Sequence, residues 1–261
     1  MVSFIDRTGE VRRNKESLGG YEMKIVKYNN NRDIWVEFQD EHKAKVHTQY
    51  YNFKNGSVSN PYYRSVYNVG YIGQGKYSKA TYLKIYQTWQ DMLRRCYNEN
   101  ERWKAPTYEK IIVEEYFHCF QNYAKWYEEN KYECNNEKME IDKDILEKGN
   151  KIYDRTHMIF VPKRINDLFI KCDASRGEYP IGVYWDKRKN KFRAQCRILN
   201  EEGKSEKVEL GYYETPEKAF YKYKKFKENY IKQVADEYYQ ADLIPERLYW
   251  AMYWWEVNID D

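Results

Sequence analysis

The sequence predicts an α+β fold made of several small modules. These are an N-terminal β-rich module, a central module of helices followed by a ββα segment, and a C-terminal three-stranded antiparallel sheet packed on a helix. Strand periodicity dominates both ends of the chain and helical periodicity dominates its middle. The chain has 261 residues, and a single core usually spans roughly 100–200. We therefore divide it into segments 1–77, 78–171, 179–239 and 240–261.

Composition indicates a soluble intracellular protein with small aromatic cores. Aromatic residues make up 18% of the chain and charged residues 33%, and the net charge is +4. No segment approaches the roughly 20 apolar residues of a membrane span, and the first residues lack the apolar core of a signal peptide. The five cysteines have no C-x-x-C spacing, so we expect reduced thiols and no zinc finger. We expect a cytoplasmic location and no membrane partner.

Segment 1–77 predicts a β-hairpin followed by an extended stretch. Residues 21–28 and 33–38 have strand character, and Asn29, Asn30 and Asn31 form the turn between them. Residues 59–77 are rich in glycine and tyrosine and carry Arg64 and Lys76. The sequence leaves two roles open for this stretch: an arm along a nucleic-acid backbone or a packed connector.

Segment 78–171 predicts two amphipathic helices and then a ββα order. Apolar residues recur at three-to-four spacing in 78–97 and 113–127. A first strand from Met139 is followed by a loop containing Asn150 and by a second strand from His157 to Val161. Pro162 suits the first position of the closing helix because it lacks a donor that is not needed there.

Segment 179–239 predicts three antiparallel strands with one basic face. The stretches 181–185 and 207–213 are rich in β-branched and aromatic residues, and residues 186–190 form a tight turn. Between them the chain alternates with the period of a half-buried strand: Phe192, Ala194, Cys196 and Ile198 on one side, and Lys191, Arg193, Gln195 and Arg197 on the other.

A helix is predicted to cover the apolar side of this sheet. It begins at Thr215, Pro216 and Glu217, which supply a cap, a first-position proline and an acid at the positive dipole end. The other side of the sheet stays free and suits a DNA groove, the alternative being an ordinary solvated face. We expect the DNA contacts to include Trp185 (or its neighbour Tyr184), Lys187, Arg188, Lys191, Arg193, Gln195 and Arg197.

Segment 179–239 resembles the ethylene-response-factor (APETALA-two) DNA-binding domain. The residues in register with that family's pattern are Gly182, Val183, Phe192, Ala194, Leu210, Gly211, Thr215, Glu217, Ala219 and Tyr221. In that family the sheet lies in the major groove, and the resemblance implies that Arg188, Arg193, Gln195 and Arg197 contact bases or phosphates. Phe220 stands where a second alanine is usual, which is expected to change helix packing more than binding.

Segment 78–171 resembles the HNH endonuclease-like proteins carried by bacterial viruses. The similarity rests on TWQDMLRRCYN, FHCFQNYAKWY and the closing FVPKRIN. In that family an aspartate and a later asparagine hold one metal ion, a histidine after the aspartate activates water, and a loop asparagine orients it. The resemblance implies Asp142 and Asn166 as ligands of magnesium or manganese and Asn150 as the loop asparagine. It also implies a virus-encoded chain that acts on double-stranded DNA in the host cytoplasm.

Position 143, where that family has its histidine base, is lysine in this chain. A lysine side chain in water is protonated at neutral pH and cannot accept a proton. Three readings stay open. His157 replaces the base from the second strand; Asp142 and Asp144 hold a metal beside Lys143; or the site is inert and the ββα segment only grips DNA.

Segment 240–261 predicts a closing helix and an acidic tail. Leu248, Ala251, Met252 and Trp255 recur at helical spacing. The tryptophans of this segment belong either to the core or to a partner surface.

Two functional classes follow from these segments. The first is a DNA endonuclease of the homing type, in which the sheet reads the sequence and the ββα segment delivers a metal to the phosphate. The second is a DNA-binding protein without cleavage that acts as a regulator or as an antagonist of a host enzyme. Both predict binding to double-stranded DNA that salt weakens.

Overall fold

The computed structural model describes residues 5–102, 110–170, 178–199 and 204–261. It contains two compact units: unit 1 comprises residues 1–130 and 151–155, and unit 2 comprises residues 131–150 and 156–261. Helices and strands both contribute, which confirms the α+β class. The elements in chain order are β1 (Val11–Arg13), β2 (Glu22–Asn30), β3 (Asp33–Phe38), β4 (Lys45–Thr48), α1 (Tyr50–Lys54), α2 (Leu83–Tyr97), α3 (Glu99–Arg102), β5 (Ile112–Val113), α4 (Phe120–Asn130), β6 (Met139–Asp142), β7 (Ile152–Tyr153), β8 (Ile159–Pro162), α5 (Lys163–Leu168), β9 (Val183–Asp186), β10 (Lys191–Leu199), β11 (Ser205–Tyr213), α6 (Pro216–Gln240) and α7 (Glu246–Tyr253).

The two units cut across the segments expected from the sequence. Residues 78–130 group with the N-terminal sheet in unit 1, and the ββα residues group with the C-terminal sheet in unit 2. The sequence had kept 78–171 together. The finer four-segment division stays a prediction.

Unit 1 contains a four-stranded antiparallel sheet in the order β1-β2-β3-β4. The predicted hairpin is confirmed, because β2 and β3 pair from Met23 opposite Phe38 to Asn30 opposite Asp33. The predicted turn was misplaced, because Asn29 and Asn30 belong to β2 and the strands are connected by Asn31 and Arg32. Every second residue of a strand lies on the same face. One face is therefore fully buried, and its members are Met23, Ile25, Ile34, Val36 and Phe38.

Helices α2 and α4 correspond to the two predicted amphipathic helices, and both belong to unit 1. They begin later than residues 78 and 113, because α2 starts at Leu83 and the second stretch first forms β5 and a 3-10 turn before α4. The indole of Trp89 is fully buried and donates through Nε1 to the carbonyl of Phe117 at 2.7 Å. Of the two roles left open for residues 59–77, the backbone supports the packed connector. Tyr71 donates its N–H to the carbonyl of His118 and accepts from the N–H of Phe120, each at 2.9 Å.

Unit 2 begins with the predicted strand, loop, strand and helix. Strands β6 and β8 pair antiparallel with Asp142 opposite Ile159, and α5 follows β8 directly. Pro162 is the N-cap of α5 and not its first residue. Ile159 and Val161 of β8 are buried in one core with Ile165 of α5 and with residues of α6 and α7.

The second part of unit 2 is the predicted antiparallel sheet, in the order β11-β10-β9. Its apolar face packs on α6, and the buried residues there are Val183, Ala194, Cys196, Ala219, Phe220 and Tyr223. The predicted helix start is confirmed, because the hydroxyl of Thr215 accepts from the N–H of Lys218 at 3.3 Å.

Helix α7 packs through its aliphatic side into the core that also contains residues of β8, α5 and α6. Leu248 and Met252 are fully buried. Trp250 and Trp254 are 44% and 69% exposed. These two tryptophans therefore lie outside the core.

Within the described ranges, no helix combines the length and the apolar character needed to cross a lipid bilayer. Cys96, Cys119, Cys134 and Cys196 are buried free thiols; the fifth cysteine, Cys172, lies outside the described residues.

Candidate nucleic-acid interface and candidate metal centre

The outer face of the C-terminal sheet is the face turned away from α6. Strand β10 supplies its central row, because the residues that alternate with buried Ala194 and Cys196 point outward. These outward residues are Lys191, Arg193, Gln195 and Arg197. The sequence prediction of their common face is confirmed by the register.

Arg193 lies at the centre of this face between two tyrosines. Tyr184 of β9 and Tyr212 of β11 are its partners across the sheet. The guanidinium carbon lies 6.0 Å from the ring centroid of Tyr184. Its Nε atom is buried and has no hydrogen-bond partner in the part of the chain that the structure describes. A strong donor is therefore held in a partly desolvated position without an acceptor.

The turn between β9 and β10 holds the next cations in place. The carboxylate of Asp186 accepts from the backbone N–H groups of Arg188 at 2.9 Å and Lys189 at 3.1 Å. These bonds, with Lys189 contributing most, hold the pKa of Asp186 below its usual value. The side chains of Lys187 and Arg188 are left exposed at the tip of the hairpin.

Two predicted contacts on this sheet need correction. Trp185 pairs with Phe192, and their ring centroids are 4.8 Å apart, so its indole lies on the side of the apolar residues. The aromatic residue beside Arg193 is Tyr184. Lys191 does lie on the outer face, but its ammonium is already 2.8 Å from the carboxylate of Glu214.

Sequence reasoning missed Lys189 and Tyr212. The ammonium of Lys189 lies 3.4 Å from the ring centroid of Tyr212, a cation–π contact. The hydroxyl of Tyr212 donates to Glu209 at 2.7 Å. The position of Lys189 in the predicted turn could have indicated its place beside this face. The sheet face on which Tyr212 lies depends on the register shift between β10 and β11 after Ala194, which the sequence does not show.

Asp142 ends β6 and organises the loop that follows. One of its oxygens accepts from the backbone N–H groups of Asp144 at 2.8 Å and Ile145 at 2.7 Å. Burial, with the negative charge of Asp144 as a second cause, raises the pKa of Asp142 to about 6. The protein thus holds a carboxylate where its charged form is disfavoured.

The side chain of Lys143 is buried and connects two parts of the same loop. Its ammonium donates to the carboxylate of Asp144 at 3.2 Å and to the carbonyl of Asn150 at 3.1 Å. The amide of Asn150 donates in return to the carbonyl of Lys143 at 2.6 Å. Lys143 and Asn150 are brought together, and both contacts close the loop on itself.

The other predicted site residues have other neighbours. The amide of Asn166 donates to the carboxylate of Glu140 at 2.7 Å. His157 lies in a turn two residues before β8, so its predicted place on the second strand is wrong. Its Nε2 is 2.8 Å from the carboxylate of Glu147.

Glu140 was missed by the sequence reasoning. Alternation along β6 places it on the same face as Asp142, which the sequence MEID already indicated. Hydrogen bonds from Lys138 and then Asn166 hold the pKa of Glu140 below its usual value.

The donor set can be tested for a magnesium ion, which keeps several waters and needs only one or two carboxylates. The predicted pair does not fit well, because the amide of Asn166 is turned to Glu140 and not to Asp142. Among the described residues, no group of three His, Cys, Asp or Glu side chains converges. The carboxylates that influence each other are Asp142 and Asp144, since the negative charge of Asp144 helps to raise the pKa of Asp142, and Asp144 is also bonded to the ammonium of Lys143.

Comparisons with known proteins add no relative to this picture: no family model, no curated protein and no solved structure matches the chain.

Proposed function

We propose that the chain binds double-stranded DNA through the outer face of its C-terminal sheet. The observation that carries the proposal is the outward row of Arg193, Gln195 and Arg197 on β10, with Arg193 between Tyr184 and Tyr212 at the centre of the face. Arginine carries five N–H donors in a planar fork. A phosphate oxygen or the edge of a guanine is an acceptor that this fork fits.

The dimensions of the sheet support this choice of partner. Neighbouring strands are about 4.8 Å apart, so three strands span roughly 10 Å, which is less than the roughly 12 Å width of the major groove. Alternate side chains along β10 are about 6.8 Å apart, close to two steps of about 3.4 Å along a DNA strand. Arg193, Gln195 and Arg197 can therefore meet positions two steps apart.

The charge of the face also favours DNA over a plain solvated surface. Glu214 forms an ion pair with Lys191, whereas Asp186 and Glu209 accept hydrogen bonds from uncharged groups and stay negative. The cations of the face and its turn outnumber these two carboxylates: Lys187, Arg188, Lys189, Arg193 and Arg197. In the described part of the chain, Arg188 and Arg197 have no carboxylate partner. The face thus carries positive charge that a polyanion neutralises.

The contacts of the ββα segment favour a DNA-binding protein without cleavage over an endonuclease of the HNH type. The family's base position is a lysine whose ammonium braces the loop. The predicted ligand Asn166 is bonded to Glu140. In this proposal the ββα segment has a structural role and the chain acts as a DNA-binding regulator. Binding to a host protein remains a prediction.

A second candidate function, metal-dependent cleavage, is favoured by one observation. The negative charge of Asp144 helps to raise the pKa of Asp142, and the ammonium of Lys143 donates to Asp144. A bound magnesium or manganese ion would stabilise a leaving oxygen. In that case Asp142 and Asp144 would hold the ion, and Lys143 would keep the carboxylate of Asp144 and the loop in place.

One assay separates the two functions. The full chain is titrated with duplex DNA over a salt series, and then incubated with supercoiled plasmid and magnesium or manganese. We expect the logarithm of the association constant to fall linearly with the logarithm of the salt concentration. The slope should be about −3 or steeper, since each neutralised phosphate contributes about −0.9. We expect no nicks. Absence of salt-dependent binding contradicts the proposed function. Nicks that Asp142→Ala and Asp144→Ala each remove, while both variants still bind, establish the second candidate.

A further inference from the structure

Helix α6 carries a second row of cations on the side away from the sheet. Lys218, Lys222 and Lys225 are exposed, and Asn229 and Lys232 continue the row. Their spacing of four, three, four and three residues keeps them on one face of a helix. The row is therefore a nearly straight basic stripe, which we call the helix stripe.

The helix stripe and the outer sheet face point in opposite directions. The inner side of α6 is buried on the apolar face of the sheet through Ala219, Phe220 and Tyr223. When a helix covers one face of a sheet, two surfaces remain exposed. One is the side of the helix away from the sheet, and the other is the uncovered face of the sheet. Unit 2 thus presents cations on both sides.

The nearby carboxylates do not neutralise the helix stripe. Glu228 is 3.0 Å from the ammonium of Lys224 and accepts from the N–H of Val257 at 2.9 Å. Glu214 forms its ion pair with Lys191, although the charge of Lys218 also acts on it, and Glu217 lies in the first turn, where the helix dipole favours an acid. Within the described residues, Lys218, Lys222 and Lys225 have no ion pair.

Exposed aromatic side chains flank the helix stripe. Tyr221, between the first two lysines, is 67% exposed. Trp254 is 69% exposed, and its ring centroid lies 6.0 Å from the ammonium of Lys232. Cations interleaved with exposed aromatic rings are the composition that nucleic-acid surfaces use.

We propose that the helix stripe binds the backbone of a second DNA duplex, so that one molecule bridges two duplexes. This rests on the proposed function for the first duplex, on the sheet. From Lys218 to Lys232 the stripe runs roughly 21 Å at about 1.5 Å per residue. This equals about six base-pair steps of about 3.4 Å along the duplex axis. Lysine is a flexible point charge without the planar fork of arginine. The second duplex is therefore held without regard to sequence.

The test is a bridging assay with the full chain. A duplex fixed on beads captures a labelled duplex of unrelated sequence only if the protein holds both. Two variants with the same change in net charge are compared. One is Lys218→Gln, Lys222→Gln and Lys225→Gln; the other is Lys24→Gln, Lys27→Gln and Lys54→Gln, three exposed lysines of unit 1.

We expect the helix-stripe variant to bind the bead duplex within about threefold of the unmodified protein and to lose at least about tenfold in captured duplex, with the salt slope of capture falling by about 3. The unit 1 variant should capture normally. Capture that survives in the helix-stripe variant overturns the proposal, since it then comes from another surface or from self-association. Binding of one duplex without capture overturns the bridging proposal alone. Absence of any duplex binding overturns both proposals. Capture of phosphatidylserine vesicles in place of the second duplex also rejects DNA as the occupant.

Discussion

Replacing Gly182 by alanine is expected to unfold unit 2 more easily than any surface change in that unit. Gly182 has φ of +76°, and a Cβ built there would lie 2.1 Å from the ring of Tyr223. Tyr223 belongs to α6 and is only 5% exposed, because it packs beneath the sheet, so its ring cannot move away freely. Backbone strain and overpacking together should lower the free energy of unfolding by roughly 2–5 kcal/mol. Chemical denaturation followed by near-ultraviolet circular dichroism measures this.

Gly149→Ala is the matched control for this prediction. Gly149 has φ of +84° but nothing within 4 Å of a built Cβ, so only the backbone strain of about 1–2 kcal/mol applies. The difference between the two variants isolates the contact of Gly182 with Tyr223. Equal stability of the two variants would contradict the packing of α6 on the sheet described above.

The double change Arg193→Ala and Arg197→Ala is expected to weaken binding to duplex DNA at least about 30-fold. An arginine that contacts a base contributes roughly 1–3 kcal/mol, and about 1.4 kcal/mol corresponds to a tenfold change in affinity. Both side chains project from the outer face of β10, so their loss should not disturb the core on the other face. Fluorescence anisotropy at fixed salt gives the affinity.

Arg13→Ala with Arg32→Ala is the control of equal charge. Both arginines are exposed on unit 1, and this variant should keep its affinity within about threefold apart from the general loss of positive charge. If the sheet variant and the control bind alike, the sheet has no special part in DNA binding.

The sheet could be predicted from the sequence because its signals are local. Alternation from Lys191 to Arg197 fixed which residues of β10 share a face. Thr215 and Pro216 marked the start of α6. Trp185 was placed on the wrong face because the register between β9 and β10 decides whether residue 184 or residue 185 faces outward. The side chains of Tyr184 and Trp185 do not themselves indicate which of the two it is.

The ββα site was predicted less completely because its contacts join residues far apart in the chain. Strand, loop, strand and helix do follow in that order, but the loop contains the unpredicted short strand β7, which pairs with β5. Lys143 and Asn150 do meet. The apolar run after His157 suggested a longer strand, but β8 begins only at Ile159, opposite Asp142. The bond between Asn166 and Glu140 spans two elements, and sequence spacing does not show which carboxylate of β6 the amide will reach.

The most direct test of the central claim uses the neighbours Tyr184 and Trp185. They project to opposite sides of β9, with Tyr184 beside Arg193 and Trp185 against Phe192. A photoreactive benzoylphenylalanine is placed at one position or the other, and each protein is irradiated in complex with duplex DNA. DNA binding through the outer sheet face predicts a crosslink from position 184 and none from position 185. A crosslink from position 185 alone, or from neither position while DNA is bound, contradicts it.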